Sequence, residues 1–190
     1  MIRELRPALL LTLVMGLILG VIYPLIVTGI SNTVFPMQAQ GSLVYRNGAL
    51  IGSHLIGQAF SDPKYFWGRP SATAPQPYNA LASGGSNFGA LNPDLAARIA
   101  ADLTHLREPG ALDAPVPADL LEASGSGLDP DVSPAAALYQ VGRVAQARGL
   151  NAKRLEALVR ERTRGALFGF LGEARVNVLE LNLALDDLHE

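Results

Sequence analysis

The chain has 190 residues, which suits one ordinary domain plus a further segment and leaves little room for separate cofactor and substrate halves. It is 49% hydrophobic and only 17% charged, too apolar for a disordered chain and sparsely charged for one wholly in water, so part of it is expected in lipid. A net charge of −2 without a block of like charges carries no nucleic-acid footprint, and the lack of cysteine excludes disulfides, thiolate metal sites and a thiol nucleophile.

Residues 7–45 contain no Asp, Glu, Lys or Arg, and 8–30 (ALLLTLVMGLILGVIYPLIVTGI) are apolar almost throughout. At about 1.5 Å per residue that stretch reaches roughly 34 Å, enough for a hydrocarbon core of about 30 Å. A cleaved signal peptide is the rival, but its apolar region is usually about 7–15 residues, and the small-residue motif at 37–39 begins with a bulky Met. The expected organisation is therefore 1–7 on one side, a span over 8–30, a linker over 31–40 and a domain over 41–190. Arg3 and Arg6 precede the span, whereas the first cation beyond it is Arg46, so the N-terminus is expected in the cytoplasm. With Arg3, Glu4 and Arg6 set aside, 13 Lys+Arg face 16 Asp+Glu, a mildly acidic domain of charge −3. Ala8, Thr12, Gly16 and Gly20 recur every fourth residue and offer a small-residue face to another helix. Pro24 is expected to loosen the helix.

Residues 41–58 hold two apolar runs around Asn47-Gly48, the dipeptide that favours a type I′ turn, and read as a β-hairpin with His54 in its second strand. Residues 60–93 are rich in Pro, Gly, Ser and Asn without either period, an irregular stretch of the kind that often carries function. Asn92-Pro93 opens a helix over 94–107 with a stripe of Leu95, Ile99, Leu103 and Leu106. After a Pro-containing linker and the turn-rich 124–131, Ser133 caps the next helix and Gly149 ends it; Asn151 caps another to about Thr163. The C-terminal VNVLELNLALDDL fits a helix through Val178, Leu181, Leu185 and Leu188 but also alternates like a strand; a short strand leading into a helix capped by Asn177 is the favoured reading. The fold class is α+β: one membrane helix, then a single mixed domain with an N-terminal hairpin and several helices.

Candidate chemistry is sparse. The run Ser83-Gly84-Gly85-Ser86-Asn87 exposes small residues of the kind that cradle phosphate and is similar to the signature loop of ABC-type ATPases, yet it lacks the Lys and trailing Ser/Thr of a P-loop. An ordinary turn is the alternative. Asp129 and Asp131 offer oxygens to a hard cation but lack calcium-loop spacing and equally suit turns. His54 and His105 show no triad partner, and three scattered histidines are too few for a typical metal cluster. Arg69, between Gly68 and Pro70, is a rigidly presented guanidinium suited to a buried carboxylate or a partner. On this chemistry the chain reads as a noncatalytic anchored domain. An anchored hydrolase and a free-standing binding module are the rival readings.

Several uncommon strings in one order carry a family resemblance: Arg6-Pro7-Ala8, Leu55-Ile56-Gly57-Gln58 with Phe60, Tyr65-Phe66, Gly68-Arg69-Pro70-Ser71-Ala72, Tyr78-Asn79, Ser83 to Asn87 and Asn92-Pro93. Beyond the linker come Ser124 to Asp129, Pro134, Arg143-Val144-Ala145, Val176-Asn177 and Glu180 to Asp186. Nearly end to end the chain resembles the C subunit of the Kdp potassium-transporting P-type ATPase of bacteria (KdpC), departing at Ala174, where related sequences often have Pro. The resemblance implies a subunit without chemistry of its own in the inner membrane, partnered by a potassium-conducting subunit, a P-type catalytic subunit and a small single-span subunit. It implies potassium as the transported ion, no stably bound cofactor, and a catalytic-chaperone role that raises ATP affinity, with Ser83 to Asn87 as the nucleotide candidate. The topology expected above places that loop outside the cytoplasm, away from ATP. The alternative function is then a periplasmic cap shaping potassium uptake at the pore mouth through Arg69, Asp129 and Asp131, with Thr12, Gly16 and Gly20 packing on a partner helix.

Overall fold

The computed structural model describes residues 2–107 and 114–188 and divides into two units, Met1–Ile51 and Gly52–Glu190. The first unit is led by the apolar helix, α1 (Ile2–Leu17), a π-helical turn (Ile18–Ile22) and α2 (Tyr23–Val34). The π turn has a local cause. Pro24 has no N–H for the carbonyl of Gly20 and its ring presses on that carbonyl, so the helix widens just before it and Tyr23 N–H bonds Ile18 O. The helix extends beyond the expected 8–30 at both ends; Arg3–Val34 is long and apolar enough to cross a membrane. The stretch 31–40, expected as a linker, is helical over most of its length. Phe35 breaks the helix at φ −131° because Pro36 disfavours helical geometry in the residue before it, and α3 (Pro36–Ala39) follows.

β1 (Leu43–Arg46) and β2 (Ala49–Ser53) form the expected hairpin, with Asn47 and Gly48 both at positive φ, 52° and 79°, as a type I′ turn requires. His54 is not in the second strand. Ser53 Oγ accepts the N–H of Leu55 at 3.1 Å and Ser53 pairs with Ile56, so the chain turns at His54.

In the second unit, α4 (Pro93–Leu106), α5 (Pro134–Arg148) and α6 (Ala152–Arg162) start at Asn92, Ser133 and Asn151, whose side chains accept from Asp94 N, Ala136 N and Lys153 N. Gly149 ends α5 at φ 65°. β3 (Asp131–Val132), β4 (Thr163–Arg164) and β5 (Arg175–Asn177) form an antiparallel sheet of order β3-β5-β4, with Val176 opposite both Val132 and Thr163. β5 leads directly into α7 (Val178–Asp187), capped by Asn177 Oδ1 accepting Glu180 N at 3.1 Å, the favoured sequence reading. Leu155, Val144, Val159, Val176, Leu181 and Leu185 are fully enclosed, so the core lies among α5, α6, α7 and β5.

The irregular stretch is bound to this core by side-chain amides. Asn182 on α7 accepts Phe66 N–H at 2.8 Å and donates to Phe66 O at 2.9 Å. Gln140 on α5 does the same for Trp67, at 2.8 and 3.1 Å. Two helix side chains thus act as strand partners for backbone that has no strand, satisfying polar groups buried with the fully enclosed Phe66 ring. Arg143 adds bonds to Pro63 O, Tyr65 O and Gln140 Oε1 and stacks on Trp67, whose other face carries His105 at 4.3 Å.

Candidate functional site

Glycines first set the geometry around Arg69. Gly57 N–H donates to Leu128 O at 2.8 Å, and a Cβ at Gly57 would collide with the Tyr78 ring and lie 2.5 Å from Asp129 O. A Cβ at Gly68 would lie 2.6 Å from Tyr78 Oη, which donates to Arg69 O at 2.6 Å. Burial, then the charge of Asp129, pushes the Tyr78 hydroxyl up to about 12, so it remains a donor. The segments 57, 68–69, 78 and 128–129 are thereby locked together.

This frame brings together Arg69, Asp129 and Asp131. Arg69 Nη1 meets Asp129 Oδ2 at 3.2 Å and Nη2 donates to Glu122 O at 3.4 Å. Asp129 Oδ1 accepts Asp131 N–H at 3.0 Å, the turn-setting role open to it in the sequence. Asp131 pairs with Arg175 at 3.1 Å and accepts from Asn177 at 3.2 Å. Burial, followed by the charge of Asp129, raises the Asp131 carboxyl above the ordinary range. These residues line an open cleft of about 460 Å³ in which Asp119, Glu122, Asp129, Asp131 and Glu173 outnumber Arg69 and Arg175. The formal charges of its lining sum to −3, five carboxylates against two guanidinium groups. Among the described residues no group of three His, Cys, Asp or Glu is placed to hold a metal ion.

The glycine-rich run packs on a second turn. Gly84 N–H and Ser83 Oγ both donate to Ser126 O, at 2.9 and 3.0 Å. A Cβ at Gly85 would lie 3.2 Å from Gly125 O, and one at Gly127, itself at φ 67°, would lie 2.8 Å from Gly84 O. The small residues serve the close approach of two loops, and the Gly84 amide of the run is engaged within the fold. Ser86 is half-buried and Asn87 exposed at φ 53°. Thr12 and Gly16 lie on α1 and Gly20 inside the π turn, all exposed, with open space where Cβ atoms at Gly16 and Gly20 would stand. His54 Nδ1 meets Glu180 Oε1 at 2.6 Å, and Arg164 Nη2 reaches both Glu180 oxygens. Sequence reasoning missed the Gln140 and Asn182 clamps; the available signal was an amide on each apolar helix face, beside Tyr139 and Val141 and between Leu181 and Leu185.

The profile of the family described as "K+-transporting ATPase, c chain" (KdpC) matches residues 5–187. The Potassium-transporting ATPase KdpC subunit of Methylococcus capsulatus is 58% identical over 190 residues, covering 99% of this chain and 100% of the relative. That of Variovorax paradoxus is 59% identical over 183 residues, 95% and 94% of the two chains. That of Burkholderia cenocepacia is 56% identical over 182 residues, again 95% and 94%. An apolar N-terminal helix followed by an α+β unit, with these matches, makes the protein a membrane-associated subunit of a potassium-transporting ATPase. The chain belongs to the KdpC family, and potassium is the ion its system transports.

Proposed function

We propose that the chain is the accessory, non-catalytic subunit of the pump. It holds the potassium-conducting, P-type catalytic and small single-span subunits together, and raises ATP affinity indirectly by favouring one conformation of the catalytic subunit. It crosses the inner membrane once, N-terminus in the cytoplasm, with the second unit outside. The charge pattern supports this orientation: Arg3 and Arg6 lie before the span and the next cation is Arg46. The observation that carries the indirect role is the engagement of Ser83 and Gly84 with Ser126, which gives the loop a structural task that needs no nucleotide. A second reading, favoured by the five carboxylates of the cleft, is a cap that enriches potassium at the pore mouth.

Ser86→Ala with Asn87→Gly tests the main reading, glycine retaining the positive φ at 87. In the purified complex the apparent ATP affinity should stay within about twofold of the parent, while omission of the subunit lowers it. A loss of about tenfold, equivalent to about 1.4 kcal/mol, in a fully assembled complex would establish direct nucleotide contact and overturn the proposal.

A further inference from the structure

Between β4 and β5 lies a hairpin tip, Gly165-Ala166-Leu167-Phe168-Gly169-Phe170-Leu171-Gly172, without one charged or hydrogen-bonding side chain. Its large side chains stand in solvent: Leu167 is 61% exposed, Phe168 79%, Phe170 75% and Leu171 49%. Four large apolar groups within five residues, none packed away, are unlike the single exposed hydrophobics of an ordinary surface.

Half of the tip's N–H groups are paired within it. Leu167 N–H donates to Leu171 O and Leu171 N–H to Leu167 O, both at 2.9 Å. Gly169 N–H reaches Ala166 O at 3.0 Å and Phe170 N–H reaches Leu167 O at 3.3 Å. Phe168 and Gly169, at φ 54° and 81°, make the tight turn that permits this. The N–H groups of Leu167, Gly169, Phe170 and Leu171 are thus paired before the tip meets a bilayer, and its other N–H groups keep water as their partner at the shallow depth of an interfacial segment. A segment meant to add as a strand to a protein partner would instead keep those groups available.

The base of the tip is polar and fixed. Arg164 is held by Glu180 at 2.6 Å and Arg175 by Asp131 at 3.1 Å, so both strand ends are braced against the folded unit. If fully extended, the four residues from Arg164 to Phe168 would reach about 13 Å, more than the roughly 5–10 Å that interfacial elements penetrate. The same chain carries its own apolar span, so contact of the tip with a bilayer is intramolecular and favoured by tethering.

We propose that residues 165–172 are a membrane-inserting tip that dips its Leu and Phe side chains into the interfacial layer of the bilayer holding the chain's span. The inference is independent of the nucleotide and pore-mouth readings.

The cysteine-free sequence allows a direct test. Phe168→Cys, Phe170→Cys and, as control, Leu81→Cys at a position 98% exposed are labelled with an environment-sensitive fluorophore. The full-length chain is reconstituted into phosphatidylethanolamine and phosphatidylglycerol vesicles, with Trp67 emission confirming the fold. Insertion gives the 168 and 170 labels a blue shift and several-fold stronger quenching than the control by lipids bearing a nitroxide near the headgroup, with weaker quenching by aqueous iodide. Labels at 168 and 170 that behave like the control overturn the proposal. So does shielding from both quenchers, which would mean that protein covers the tip.

Discussion

Asn182→Leu is the sharpest test of how the irregular stretch is held. Asn182 is 2% exposed and supplies both partners of the Phe66 peptide groups, at 2.8 and 2.9 Å. Leucine keeps the branched shape and number of side-chain heavy atoms, with bulkier methyl ends, but leaves a buried N–H and a buried C=O unpaired, at about 1–3 kcal/mol each. With some return from the added apolar contact, a net loss of about 3 kcal/mol is expected, a large share of a typical stability of about 5–15 kcal/mol. Trp67, the only tryptophan of the chain, is adjacent, buried and stacked on His105, so its emission reports release of this stretch directly. In urea titrations of the full chain in a mild detergent, a slope of about 2 kcal/mol/M places the midpoint about 1.5 M lower than in the parent. A shift under about 0.5 M, no larger than that of Leu81→Ala, would refute the clamp.

Two further outcomes follow from the charges. Burial raises the Asp102 carboxyl above its ordinary 3.8 against the pull of Arg98 and His105, and Asp102 Oδ2 is buried without a partner among the described residues. The folded state therefore holds this proton more tightly than the unfolded chain, and stability is lost as pH rises from 3.8 through the raised value. Asp102→Asn should accordingly gain urea midpoint over the parent as pH climbs from about 4 to about 7; a difference constant across that range contradicts this. Glu122→Gln with Glu173→Gln removes two cleft charges without touching the Arg69 and Arg175 pairs. At about 10 Å in water each charge is worth about 0.4 kcal/mol, so in the assembled pump the apparent potassium affinity should weaken about two- to fourfold at low ionic strength and recover in high salt. No change at low salt removes the cap reading.

Where the chain obeys local rules, the fold was readable. Asn47-Gly48 named its turn, Asn92, Ser133 and Asn151 named their helices, Gly149 its terminus and Asn177 the switch from strand to helix, because each signal is steric or hydrogen-bonded within a few residues. β3 and β4 were not readable, since two residues carry no period. Arg69 stood out by its Gly and Pro neighbours, but its partner lies 60 residues away, and the amide clamps join positions 73 and 116 apart. The glycine run suggested a phosphate cradle because exposed amides and close loop packing demand the same small residues. The apolar tip fits neither helical nor strand spacing and passed unnoticed.

The most direct test of the central claim is the accessibility of Ser86. Ser86→Cys provides one thiol in a chain with no other, at a half-buried position of the glycine-rich run. Expressed with its pump partners in intact cells, the variant should be labelled by a membrane-impermeant thiol reagent, which places the run outside the cytoplasm and away from ATP. Protection in intact cells, with labelling only after the inner membrane is permeabilised, would contradict the account and return the run to direct nucleotide contact.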